Sequence, residues 1–157
     1  MEINGLPLHP LVVHAAVVFG PLAAVTALLY VAVPRWRDRL RWPMLALAVV
    51  AVGSIVLAYL SGDSFLESKP ELEGSAAVEK HEHRAEQLLW VTIGFGIVAV
   101  LDGWLATRPG AVRVVLDVLL AIAAVALLVW VVLTGDAGAI TLTGGAGNDV
   151  LSGGAGD

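Results

Sequence analysis

Polar and apolar positions fall in long blocks along this chain. Four apolar stretches, at about residues 10–33, 42–60, 86–105 and 113–133, are set apart by short polar segments. Each is close to the roughly 20 residues a helix needs to cross a bilayer core. Pro21 and Gly53 interrupt the pattern only mildly, and membrane helices tolerate both. The pattern predicts an all-α fold: an integral membrane four-helix bundle of two tandem hairpins over residues 1–140. A Gly/Asp-rich tail, disordered or a short β-roll, follows over 141–157. The first stretch reads as a retained span. Its preceding residues, Met1 to His9, lack the basic region of a signal peptide, and its arginines follow it.

Composition supports lipid as the solvent. The chain is 58% hydrophobic and 15% charged, with mean hydropathy +0.84. Soluble domains run at about 45–50% apolar and about 25% charged, so a soluble fold would lack polar residues to cover its surface. The net charge of −5 is unevenly spread and forms no basic face for nucleic acid. Cysteine is absent, which removes disulfides, thiolate nucleophiles, cysteine-ligated clusters and covalent haem attachment. Met44 is the one methionine placed usefully for a haem.

Loop charge predicts orientation. Arg35, Arg37, Arg39 and Arg41 follow the first stretch, and Arg108 and Arg113 lie between the third and fourth. The positive-inside rule makes those two turns cytoplasmic. The segment 61–87 carries Asp63, Glu67, Glu71, Glu73, Glu79, Glu82 and Glu86 against Lys69, Lys80 and Arg84, and belongs outside, as do both termini. Tyr59, Trp90 and Trp130 near outer ends, and Tyr30, Trp36, Trp42 and Trp104 near inner ends, match an interfacial aromatic belt.

A weak repeat is visible. Each hairpin has an arginine-bearing inner turn, and the two end in Ser61-Gly62-Asp63 and Thr134-Gly135-Asp136. The plainer reading is that each tripeptide stops a helix, since Gly suits the residue past the end.

Candidate chemistry gathers at the outer face, where His9, His14, His81 and His83 all fall. Two histidines from different helices can ligate a b-type haem, here His14 and His81, with His9 assisting. His81-x-His83 with Asp63 or Glu82 could instead hold zinc or copper. The plain alternative is a set of polar residues at the headgroup boundary. Asp102 and Asp117 are ionisable residues inside spans, which by default marks a functional site or proton path. Their closeness to Arg108 and Arg113, and the i, i+4 spacing of Arg113 and Asp117, favours charge pairing at the inner interface. No nucleophile–base arrangement is visible, and the glycine-rich tail lacks the lysine of a phosphate loop, so the chain reads as a non-enzyme. Small residues such as Gly20, Gly94 and Gly96 would let helices pack closely, within the chain, in a homo-oligomer or against a membrane-complex partner.

The opening Gly5-Leu6-Pro7-Leu8-His9-Pro10-Leu11-Val12-Val13-His14 resembles that of the bacterial membrane proteins of domain-of-unknown-function family 2231. So do Leu60-Ser61-Gly62-Asp63, His81-Glu82 and Thr134-Gly135-Asp136-Ala137-Gly138-Ala139. The resemblance covers about residues 3–140. It implies a four-helix bundle in a bacterial inner membrane, without an established activity. Relatives are sometimes joined to Rieske-type iron–sulfur domains, which implies a redox or quinol-linked partner. The family's histidines carry over to His9, His14 and His81, and not to His83.

The tail is similar to something else. Gly144-Gly145-Ala146-Gly147-Asn148-Asp149-Val150-Leu151-Ser152 fits the nine-residue calcium repeat of RTX secreted proteins, and Gly153 to Asp157 begins a second copy. Asn148, Asp149 and Asp157 are the candidate calcium ligands. At least three repeats normally stack around calcium, so one and a half copies predict a disordered tail or a truncated roll. Three functions stay open: a haem-linked redox protein, a non-catalytic accessory subunit, and a metal-binding membrane protein.

Overall fold

The computed structural model describes residues 2–3, 6–67, 76–105 and 110–144. A two-residue ribbon pairs Glu2–Ile3 (β1) antiparallel with Leu6–Pro7 (β2). Four helices follow: α1 Leu8–Ala32, α2 Arg37–Glu67, α3 Ala76–Leu105 and α4 Ala111–Gly144. A single 3-10 turn, Pro34–Trp36, joins α1 to α2. The calcium-repeat residues Asn148, Asp149 and Asp157 lie outside the described residues, as do the side chains of His9 and Asp63.

The helices extend past the apolar stretches. α2 starts within the arginine-rich segment, and α3 starts within the acidic one. Apolar length measures the part of a helix in hydrocarbon. The backbone keeps its hydrogen bonds into the interface, where charged side chains are solvated. The two Gly-Asp tripeptides do not stop their helices, which continue to Glu67 and Gly144. Ser61 is buried and donates to the Ala58 carbonyl, 3.0 Å away, and buried Thr134 donates across to the Arg84 carbonyl on α3 at 3.2 Å.

Around the bundle the order is α1, α2, α3, α4. Each helix packs on its sequence neighbour, α4 closes on α1, and α1 and α3 stand on a diagonal. Small residues set the spacing. Ala23, Ala24, Ala27, Ala48, Ala51, Ala99 and Ala124 line a core whose larger members are Tyr30, Met44, Phe95, Leu120 and Leu127. α2 and α3 touch closely: a Cβ on Gly96 would stand 2.8 Å from Val52, and one on Gly103 would stand 2.9 Å from Leu45. Close backbone approach is the usual way membrane helices gain packing, since lipid supplies no hydrophobic drive between them.

All four helices are long and apolar enough to span a membrane, over Leu11–Ala32, Pro34–Gly62, Val78–Leu105 and Ala111–Asp136. Only 22% to 33% of the residues in their most apolar windows are buried within the bundle. The rest of that surface, including Val49, Leu57, Ile97, Ile122 and Val132, is apolar and exposed, so it faces lipid. One end of the bundle carries Arg35, Arg37, Arg39, Arg41 and Arg113, and the other carries His81 and His83 with Arg84.

Candidate functional site

The arginine end is built around one side chain. Arg37 opens α2, a position where the helix dipole disfavours a cation. It is compensated by turning back onto α1. Its Nε donates to the Tyr30 carbonyl at 3.1 Å and its Nη2 to the Val31 carbonyl at 3.2 Å. These are end carbonyls of α1, where a cation is favoured. The same Nη2 reaches Asp117 Oδ2 on α4 at 2.7 Å. The guanidinium also lies 5.5 Å from the centre of the Tyr30 ring, in cation–π range. Arg37 thus clasps the two hairpins together.

Asp102 completes the cluster from α3. It is 1% exposed, as is Tyr30. Its carboxyl group lies beside that of Asp117, with Arg37 and Arg113 near enough to act on it electrostatically. Three buried oxygens here have no hydrogen-bond partner among the described residues: Tyr30 Oη, Asp102 Oδ2 and Asp117 Oδ1. All four helices therefore send an ionisable group to one buried point. The i, i+4 pairing of Arg113 with Asp117 gives way to Arg37, whose guanidinium lies on the inner side of the helix end. Asp102 lies inside the bundle rather than on its surface. Tyr30 leaves the aromatic belt and turns inward, while Trp36, Trp42, Trp90 and Trp104 stay exposed.

The histidine end is tied differently. Trp130 Nε1 on α4 donates to Gln87 Oε1 on α3 at 3.2 Å, and Gln87 Nε2 lies 3.1 Å from His83 Nε2. The indole can only donate, which fixes the orientation of the Gln87 amide. Its NH2 therefore donates to His83, whose Nε2 accepts. That nitrogen is engaged within α3, on the amide whose oxygen meets Trp130 of α4. His81 is half-buried, and its Nδ1 is buried without a hydrogen-bond partner among the described residues. His14 is exposed on α1. His9 is helical in α1 and Asp63 in α2. Among the described residues, no three of the His, Asp and Glu side chains come together as a metal site.

The middle of the bundle carries a third feature. An open groove of about 580 Å³ runs between α2 and α3, lined by Ala48, Val49, Val52, Gly53, Ile97 and their apolar neighbours. It opens to the lipid-facing surface and holds no ionisable side chain.

Sequence reasoning missed Tyr30 and Arg37 as site residues. Tyr30 had a usable signal, because it shares the inward face of α1 with the buried Ala23, Thr26 and Ala27. Arg37 had none beyond being one of four arginines.

No curated protein and no solved structure matches this chain. Residues 5–145 match the family described as "Predicted membrane protein (DUF2231)", and with four helices fit to cross a bilayer and a match over most of its length, the chain belongs to that family.

Proposed function

We propose that this protein is a non-catalytic accessory subunit of a membrane complex, working through its lipid-facing surface. The observation that carries this reading is the α2–α3 groove. Gly53 leaves part of its floor open, since a Cβ there would meet nothing within 4 Å, Val52 packs closely onto Gly96, and the lining is apolar. Small-residue floors are where transmembrane helices associate. The occupant this fits is one transmembrane helix of a partner. The arginine turns face the cytoplasm of a bacterial inner membrane on this reading, with both termini outside.

The test is the mass of the assembly in a mild detergent. Expected is a complex heavier than the 16.3 kDa chain, cross-linked from a photoreactive residue at Val49 or Ile97. Gly53→Leu should release it with helicity intact, because a side chain there meets nothing within 4 Å. A wild-type chain that is monomeric in both detergent and vesicles refutes the reading. An exact dimer mass identifies the partner as a second copy.

One observation favours a second reading. The orphan Nδ1 of His81 is a free ligand nitrogen at the histidine end. A b-type haem, bound by His81 with His9 or His14, would supply one-electron chemistry linked to a redox partner. The fit is partial. Leu88, Ile55 and Val131 fill the interior below, and a Cβ on Gly20 would stand 3.2 Å from Val131, so such a group would sit at the rim. An absorption spectrum after expression with haem supplied decides it, since the absence of a Soret band removes it. Elemental analysis tests in the same sample for a metal at His83 and Asp63, and for calcium at Asn148, Asp149 and Asp157.

A further inference from the structure

We propose that Asp102 and Asp117 together bind a single proton, shared between Asp102 Oδ2 and Asp117 Oδ1 at the arginine end of the bundle. The argument starts from what each oxygen receives. Asp117 Oδ2 takes the Arg37 guanidinium at 2.7 Å. Asp117 Oδ1 and Asp102 Oδ2 are buried and receive nothing from the described residues. Ionised carboxylates are acceptors only, so two of them side by side cannot satisfy each other. One proton changes that. A protonated Asp102 donates to Asp117, and both orphan oxygens gain a partner from a single bound ion. Adjacent carboxylates that share a site commonly resolve their repulsion in this way.

The surroundings define the ligand. The charged and titratable groups facing the pair are Tyr30 from α1, Arg37 from α2 and Arg113 from α4. A metal ion and a proton both add positive charge, so coordination rather than charge distinguishes them. A metal ion needs several oxygens and water, whereas a proton needs one donor and one acceptor, and the unpaired buried oxygens among the described residues here are Asp102 Oδ2, Asp117 Oδ1 and Tyr30 Oη. The third orphan, Tyr30 Oη, is 99% buried in the same cluster and marks the inner wall of the site. Beyond it, Phe95, Ala99, Leu120, Ala124 and Leu127 fill most of the bundle with hydrocarbon, and the buried hydroxyls of Thr26 and Thr92 are spent on the Leu22 and Leu88 carbonyls of their own helices. The proton therefore enters and leaves by the arginine end. The site is a one-ended proton store, and no polar chain runs from it to the histidine end among the described residues. This proposal is independent of the accessory role.

The test uses the whole chain in lipid nanodiscs and infrared difference spectra. Spectra are recorded between about pH 8 and about pH 5.5, above the range in which ordinary exposed carboxyl groups take up protons. Expected is one protonated-carboxyl band, moved by deuteration and by isotope-labelled aspartate, which assigns it to Asp without any variant. Asp102→Asn carries an amide that donates to Asp117 as the protonated acid would. It should fold, lose the band and take up one proton fewer per chain. Tyr30→Phe should keep the band. Absence of an aspartic acid band across the range overturns the proposal, as does a band unchanged in Asp102→Asn. A band displaced at fixed pH by sodium or potassium chloride, with no such effect from choline chloride, reassigns the site to a metal cation.

Discussion

Replacing Arg37 with leucine removes the clasp and leaves Asp117 as a carboxylate without its cation. The side chains of Arg37 and Asp117 are only 11% and 16% exposed, so the pair belongs with buried rather than surface ion pairs. Removing one partner of a buried pair costs about 3–5 kcal/mol, against about 0–1 kcal/mol at the surface. That loss is a large share of the roughly 5–15 kcal/mol that holds a domain folded. Asp117→Leu should cost less, about 2–4 kcal/mol, because Arg37 keeps the Tyr30 and Val31 carbonyls. The double variant removes both charges and should cost about 1–3 kcal/mol, mostly the two lost carbonyl bonds. The coupling energy of the cycle is then at least about 2 kcal/mol. Arg113→Ala is the control, with an expected loss under about 1 kcal/mol. The assay is reversible unfolding in mixed micelles titrated with denaturing detergent, read by circular dichroism. Additive single losses, or an Arg113→Ala loss as large as that of Arg37→Leu, would show that Asp117 does not depend on Arg37.

Three further outcomes are expected in the same assay. Gly103→Ala puts a methyl within 2.9 to 3.2 Å of three Leu45 atoms, so α2 and α3 must part; the cost should be about 1–3 kcal/mol, and Leu45→Ala should relieve it. Gly110 has φ +104° and its carbonyl accepts the Arg113 amide at the start of α4, so Gly110→Ala forces a side chain into a strained backbone and should cost about 1–3 kcal/mol. Trp130→Phe removes the donor that orients Gln87 and should cost about 1 kcal/mol. In that variant the 15N signal of His83 Nε2 should move as its donor is freed to turn; an unmoved signal contradicts the amide orientation derived above.

Why some of this was readable and some was not follows from the range of each interaction. The spans were legible because transfer of apolar residues into lipid depends on composition within one segment, and that is written locally. The ends of α2, α3 and α4 were not, because a helix in the interface continues on backbone hydrogen bonds that apolar content does not report. Ser61 and Thr134 show the same gap. A Ser/Thr-Gly-Asp tripeptide reads as a stop when only its immediate sequence neighbours are considered. In the fold it lies within a helix, and Thr134 meets the Arg84 carbonyl 50 positions away. His81 and His83 differ in burial by the turn of one helix relative to its neighbours, which spacing alone does not set.

Arg37 carries the deeper lesson. Within the sequence it is one of four alternating arginines, and the positive-inside rule treats all of them as equivalent counts of charge. The fold distinguishes it, because the 3-10 turn Pro34–Trp36 brings the first residue of α2 back over the last carbonyls of α1. From there the guanidinium spans to Asp117, 80 positions on. Asp117 then has a better partner than its own helix neighbour Arg113. That choice aims its second oxygen at Asp102 instead of at solvent. The orientation signal and the buried cluster thus use the same residue. A charge that places the turn in the membrane also supplies the guanidinium that pairs with Asp117 beside the buried Asp102.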